Sequence, residues 1–414
     1  MKKIFEEHES EVRSYCRTFP EIFDYAKGSI IKDIYGKEYI DFFCAAGSLN
    51  YGHNNDYIKE KLVNYIMADR IMHSLDQYTV AKGEFINYFV EKVLNYRNLD
   101  YKIQFTGPTG ANAVEAAIKL ARKVKKRNNI FALMGAFHGM SLGALSLTSD
   151  AGARKGAGVA LTDVTHIPAP YMFKGLDVIE YMETILTDDH SAIEKPAAIV
   201  IETVQAEGGI YVFEDKFLQD LRKLCDRHDI LLLIDDIQVG CLRTGTFFSF
   251  ERAGIVPDML ILSKSIGGYG LPFALTLLKP ELDIWDPGEH NGTFRGNQLA
   301  MVAAKAGLEF MIENDIQAEV QRKEKIVKDY LNKYIQPISK EIEIRGIGLI
   351  WGIDVKDEQK AKEISKKCFE EGLMLEKAGR NNCVVKLMPP LVIEDEILLK
   401  GLNILRQVVS EVLA

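Results

Sequence analysis

Cysteine is sparse in this chain and scattered: six in 414 residues, at 16, 44, 225, 241, 368 and 383, with no C-x-x-C pair. That spacing offers neither a zinc or redox site nor a disulfide framework, and it fits free thiols in a reducing cytoplasm. Long apolar runs are missing as well. No stretch approaches the ~18 uninterrupted apolar residues of a membrane span. The first residues, MKKIFEEHESEVRSYCR, carry charge where a signal peptide has its apolar core. Nor is there an excess of positive charge. The 51 Lys and Arg against 59 Asp and Glu give a net charge of −8 with His neutral, a balance with no global attraction to nucleic acid or to an anionic membrane. Internal repeats, low-complexity tracts and Pro/Ser-rich linkers are absent too. What is there is an ordinary globular composition, 47% hydrophobic and 27% charged. At ~150 residues per domain the length suggests two or three domains. The expectation is a large cytoplasmic enzyme.

The middle of the chain alternates short apolar runs with amphipathic stretches. Residues 129–134 (NIFALM), 197–201 (AAIVI), 230–234 (ILLLI) and 259–262 (MLIL) are strand-length and apolar throughout, as strands buried on both faces of a parallel sheet are. Between two of them Asp215 opens a stretch with Phe217, Leu218, Leu221, Leu224 and Cys225 at helical spacing. The β-α-β alternation predicts a doubly wound α/β domain over 51–300. Residues 301–414 read as a smaller α+β unit: one long helix over 303–334, a strand-like 341–355, a helix near 360–371 and a last amphipathic helix over 394–413. Residues 1–50 hold a hairpin, 29–34 and 38–43, turning at Tyr35-Gly36-Lys37. This segment is too short for its own domain and is expected to dock on the C-terminal unit.

Chemistry concentrates at the ends of the apolar runs. In Ile230-Leu-Leu-Leu-Ile-Asp235-Asp236-Ile237-Gln238, carboxylates end a buried strand, which is where open α/β sheets bind ligands. A metal pair or a helix cap is the alternative. The next run leads into Ser263-Lys264-Ser265-Ile266-Gly267-Gly268. Burial there would lower the amine's pKa and free it to attack a carbonyl; the alternative is a plain surface lysine. Taken together, Asp235 and Lys264 at neighbouring strand ends suit a cofactor with an aldehyde at one edge and a basic ring nitrogen at the other, as in pyridoxal phosphate. An anion site is then needed. Thr106-Gly107-Pro108-Thr109-Gly110-Ala111 precedes an amphipathic helix, whose free N–H groups would cradle phosphate. It is not a Walker A loop, since no Gly-Lys-Ser/Thr follows. Phe137, in a second turn after a strand, could stack on a planar ring or sit in the core.

Assembled, these pieces resemble the class III (ω-) aminotransferases of pyridoxal-phosphate fold type I, over nearly the whole chain from EVRSYCRTFP (11–20) to MPPLVI (388–393). That fold has a large domain with a mostly parallel sheet between helices, plus a smaller α+β domain. Within the class, FTGPTG, FHGM and GEHNGTFRGN are most similar to the diaminobutyrate–2-oxoglutarate branch of the ectoine-pathway type. The resemblance implies that Lys264 binds the cofactor covalently and Asp235 pairs with its ring nitrogen. Ile237 and Phe137 would pack on the ring faces, and Gln238 would bond the phenolic oxygen. Gly110 and Ala111 would hold the phosphate, and Thr293 would reach the phosphate in a neighbouring subunit, making a homodimer with shared sites. Glu202 and Glu207 would line the substrate side. No metal is implied.

The sequence also departs from the class. Members acting on ornithine or 4-aminobutyrate carry Arg where this chain has Met140 and again where it has Lys386, and Lys lacks the guanidinium's bidentate fork. Arg295 and Lys386 are therefore candidates for holding substrate carboxylates. Both could instead be structural, Lys386 as the partner of Glu207. The implied reaction is a ping-pong transfer of an amino group from L-glutamate to L-aspartate 4-semialdehyde. An ornithine-type ω-aminotransferase is the rival reading, and a non-catalytic cofactor-binding paralogue a more distant one.

Overall fold

The computed structural model describes residues 1–413. Its central sheet has seven strands, in the spatial order Lys102–Phe105, Leu275–Leu278, Met259–Leu262, Leu231–Asp235, Ala198–Ile201, Ile130–Leu133, Val164–Ile167. All neighbours run parallel except Leu275–Leu278, which is antiparallel to both strands beside it. The four apolar runs are four of these strands, and every residue in them is buried.

Strand alternation explains why they are apolar throughout. Leu231 and Leu233 point to one face, into a cluster with Val114, Ala117, Ile118 and Ala121 of the helix Gly110–Lys125. Leu232 and Ile234 point to the other, into the core shared with Leu218, Leu221, Leu224 and Cys225 of the helix Asp215–Arg227. With a helix layer on each face, neither parity can be polar. Each fully buried Leu or Ile side chain contributes about 1.5–3 kcal/mol of transfer free energy. The strand Leu231–Asp235 pairs in parallel with Met259–Leu262, Asp235 standing opposite Ile261. The strand ends carrying Asp235 and, shortly after, Lys264 therefore emerge at the same sheet edge.

The expected single helix over 303–334 is two helices, Gln298–Glu313 and Ile316–Tyr330. The break falls at Asn314-Asp315. Asp315 takes a left-handed φ of 45° and its carboxylate accepts from Ala318 N–H at 3.4 Å, capping the second helix. Asp tolerates that conformation better than most residues. Both helices bury an apolar face, so the periodicity runs through the break unseen. Likewise 341–355 is a hairpin, Glu343–Ile347 and Ile350–Asp354. It is extended by Val384–Leu387 and Glu376–Ala378 into a four-stranded antiparallel sheet.

Near the N-terminus the strands Ile30–Asp33 and Glu38–Asp41 pair as expected, with an unanticipated third strand, Phe23–Lys27, beside them. Leu373–Met374 adds in parallel to Glu38–Asp41, fastening this segment to the C-terminal part of the chain. Arg243, wholly buried, tightens the same junction by donating to Asn50 Oδ1, Leu349 O and Pro389 O at 2.5, 2.9 and 2.5 Å. Among the described residues no helix is long and apolar enough to cross a membrane.

Candidate active site

Asp235 and Lys264 face one cavity of about 390 Å³, together with Gly110, Ala111, Phe137, Glu202, Glu207, Ile237 and Gln238. The Asp235 carboxylate is buried; Oδ1 accepts from Ile237 N–H at 3.1 Å, and Oδ2 lies 2.7 Å from His138 Nδ1. His138 is itself buried. Burial would lower its pKa, but the adjacent Asp235 outweighs burial and raises it. Charge and hydrogen bond together fix the carboxylate's direction into the cavity.

The neighbouring Asp236 belongs elsewhere. Its Oδ2 accepts from Ser249 N–H at 2.9 Å, and burial pushes its pKa up to about 7. The two carboxylates diverge, so the alternative of a paired metal site at this strand end loses its geometry.

Lys264 opens a 3₁₀ turn, Lys264–Gly267, with a left-handed φ of 54°. A non-glycine residue held there carries backbone strain, the kind that fold contacts sustain at functional sites. Burial lowers the amine's pKa against the opposing pull of Glu207.

At another part of the wall the helix Gly110–Lys125 begins. Thr109 Oγ1 accepts from Asn112 N–H at 3.3 Å, while the N–H groups of Gly110 and Ala111 have no partner among the described residues. A Cβ at position 110 would stand 2.8 Å from Ile237 Cδ1, so only glycine fits without displacing that side chain. Phe137 is held from behind: its N–H donates to Glu202 Oε1 at 3.0 Å, and Glu202 Oε2 accepts from Ala206 N–H at 3.3 Å. Burial raises Glu202 to about 7.

Glu207, Gln238 and Tyr15 complete the wall, and an ionic cluster backs them. Lys386, with no exposed surface, places Nζ 2.6 Å from Glu207 Oε1, 3.3 Å from Gln238 Oε1 and 3.1 Å from Glu376 Oε2. Tyr15, brought in by the N-terminal segment, donates its hydroxyl to Glu376 Oε1 at 3.2 Å. Gln238 donates to Glu207 Oε1 and to Ala46 O, both at 3.1 Å. Burial alone would raise Glu207, but Lys386 pulls it down to about 2.

Three of the singled-out residues do not line this cavity, Lys386 standing behind Glu207 and Gln238 and two others lying elsewhere. Arg295 pairs with Asp76 and borders a separate depression beside Trp285. Thr293 begins the 3₁₀ turn Thr293–Gly296, whose preceding Gly292 packs against Gly107, a Cβ there standing 3.4 Å from Gly107 N. Met140 is exposed. Sequence reasoning missed His138, Glu376 and Tyr15. His138 stood in a quoted turn beside Phe137, but nothing local ties it to Asp235. Tyr15 and Glu376 meet across most of the chain's length.

The cavity suits pyridoxal phosphate. It supplies a desolvated amine for the aldehyde, a buried carboxylate for the ring nitrogen, unsatisfied helix N–H groups for the phosphate and an apolar side chain, Ile237, beside them. Fold and site define a pyridoxal-phosphate enzyme of fold type I. The aminotransferase class-III family model matches residues 14–409, and the chain belongs to that family. It is an aminotransferase with pyridoxal phosphate as cofactor. It is 51% identical over 413 residues to a diaminobutyrate–2-oxoglutarate transaminase of Sporosarcina pasteurii, covering 99% of this chain and 97% of the relative. It is 49% identical over 412 residues to the enzyme of that name from Streptomyces coelicolor, covering 99% and 97%. Among solved structures, the ornithine aminotransferase of Toxoplasma gondii superimposes with a TM-score of 0.87 at 24% identity, covering 99% of this chain and 94% of that one. A transaminase of Arthrobacter gives 0.89 at 19%, covering 99% and 97%. At those identities the likeness concerns the fold.

Proposed function

We propose that the chain transfers an amino group from L-glutamate to L-aspartate 4-semialdehyde, giving 2-oxoglutarate and L-2,4-diaminobutyrate reversibly in two alternating half-reactions. The observation that carries this reading is the near full-length identity to transaminases bearing one name in distant bacteria, 51% in Sporosarcina and 49% in Streptomyces. Met140 and Lys386, in place of the two arginines of ornithine-type members, agree with it.

Pyridoxal phosphate supplies an aldehyde that takes up the amine and a ring that draws electrons from the amine-bearing carbon. The protein supplies the rest. Asp235, oriented by His138, holds the proton on the ring nitrogen. Lys264, its amine's pKa lowered by burial, would take the proton from the substrate's α-carbon and, in the reverse half-reaction, give one back to it. Gly110 and Ala111 hold the phosphate, and Thr293 does so from a neighbouring subunit in a homodimer with shared sites. Ile237, Phe137 and Gln238 position the ring, Glu202 fixes Phe137, and Glu207 lines the substrate side.

Proton transfer by a positioned group contributes ~10²–10⁴-fold, so Lys264→Ala is expected to lose turnover while keeping its fold. The test of the substrate pair is the visible spectrum of the holoenzyme. L-Glutamate is expected to bleach the cofactor's absorption band, and L-aspartate 4-semialdehyde to restore it. A band that glutamate leaves untouched overturns the donor assignment.

A further inference from the structure

The donor proposed above carries two carboxylates and the acceptor one, so the site needs a cation beyond Lys264 to receive them. Lys386 is not free to be that cation, because its wholly buried amine donates to Glu207 Oε1 and Gln238 Oε1 and lies 3.1 Å from Glu376 Oε2. A second cavity, of about 710 Å³, opens beside the first and shares Phe137 and Glu207 with it. Arg154, Lys377 and Arg380 line it, and none of the three forms an ion pair among the described residues. The cavity's acids are already engaged. Asp150 Oδ1 caps a helix through Ala153 N–H at 2.6 Å, and Glu207 holds Lys386 at 2.6 Å.

Arg380 is the best placed of the three cations. The backbone N–H of Gly379 donates to Glu207 O at 2.9 Å, which sets Arg380 next to the rim shared by the two cavities. Its guanidinium lies over the Tyr171 ring, 5.4 Å from the centroid, and Nη1 donates to the Tyr171 hydroxyl at 3.2 Å. Tyr171 is in turn fixed by stacking on Tyr211, centroids 3.5 Å apart, and by its own bond to Gln205 Oε1 at 2.6 Å. A Cβ at Gly135 would stand 2.5 Å from that hydroxyl and 3.0 Å from Arg380 Nη2, so glycine leaves the guanidinium its place. The remaining nitrogens of Arg380 are unbonded among the described residues. Arg154 is different: Nη1 is spent on the carbonyls of Leu145, Ser146 and Thr148 at 3.1, 3.0 and 2.9 Å.

We propose that this second cavity is the docking site for the distal carboxylate of the dicarboxylic donor, held by Arg380 with Lys377 and Arg154 supplying positive potential. The site rests on the function proposed above, and it would serve both substrates, because the single carboxylate of the acceptor lies three bonds from its reacting carbon, as the donor's distal carboxylate does. A guanidinium preorganised on an aromatic stack meets a carboxylate through paired N–H groups.

The experiment uses the holoenzyme and glutarate, a five-carbon dicarboxylate with no amine to transfer. Losing charge-assisted hydrogen bonds is expected to weaken glutarate binding, read by calorimetry, about ten- to hundredfold in Arg380→Gln. Arg380→Lys should recover part of it, and Lys377→Gln should weaken binding less. In steady state, KM for L-glutamate, 2-oxoglutarate and L-2,4-diaminobutyrate should rise together, because each carries a carboxylate three bonds from its reacting carbon, with kcat at saturation unchanged. Glutarate affinity unchanged in a folded Arg380→Gln protein overturns the site. Failure of the wild type to use glutamate overturns the donor assignment instead, and the two failures are read separately.

Discussion

Replacing Lys386 by methionine removes the cation between two buried carboxylates and keeps the side chain's volume. Lys386 is the largest of the pulls, ahead of Lys264 and Gln238, that hold the Glu207 carboxyl below its ordinary range against burial. Removing one partner of a buried pair costs about 3–5 kcal/mol, because the survivor is left desolvated and unpaired. Here two survivors, Glu207 and Glu376, face each other. The sign of the pH dependence follows from the depressed pKa. The stabilisation is fully present above pH 4.5 and is lost as pH falls from 4.5 through about 2. Trp351 is a built-in reporter, since it pairs with Leu387, the residue after Lys386. Urea unfolding of the holoenzyme at pH 7.5, followed by tryptophan fluorescence, is expected to show Lys386→Met less stable by about 3–5 kcal/mol. Lys386→Arg keeps the charge but overfills a wholly buried site and should cost about 1–3 kcal/mol, less than the methionine. Between pH 5 and 3 the variant should lack the wild type's steep loss. A Lys386→Met protein as stable as wild type, with the same acid slope, would refute the reading of this cluster as an ion pair that holds the wall together.

Other outcomes follow from the same geometry. Asp236, raised to about 7 by burial, binds its proton more tightly in the folded state, so stability falls as pH rises from about 4 to 7. Asp236→Asn keeps an acceptor for Ser249 and cannot titrate; thermal melts at pH 8 should show it at least as stable as wild type, with that slope flattened. Gly110→Val places branched carbons where a single Cβ already comes 2.8 Å from Ile237 Cδ1. It should weaken pyridoxal-phosphate binding tenfold or more, read by titrating the apoenzyme's fluorescence, while far-ultraviolet circular dichroism stays unchanged.

The sequence by itself determined four of the seven strands of the central sheet and the axis of the site. Strands buried on both faces must be apolar nearly throughout, so the runs 129–134, 197–201, 230–234 and 259–262 announced themselves. A carboxylate and a lysine just past two such runs must then share an edge, because parallel neighbours end together. The helix start at Gly110 was legible for a similar reason: a glycine-rich turn between a strand and an amphipathic run leaves N–H groups free.

What only the tertiary structure decided were contacts whose partners lie far apart along the chain and whose local patterns are ordinary. Asp235 and Asp236 read as a pair, and only the packing shows one facing His138 and the other Ser249. The helix break at Asp315 hides inside an unbroken apolar rhythm, because both helices pack on the same core. Lys386 read as a candidate for substrate, yet it is enclosed by Glu207, Glu376 and Gln238. The guanidinium of Arg380 stands over a stack of Tyr171 on Tyr211, three residues that meet only in the folded chain. Periodicity records which face of an element is buried. It carries no information on which distant charge that face will meet, since the meeting is set by how the sheets and helices close on one another.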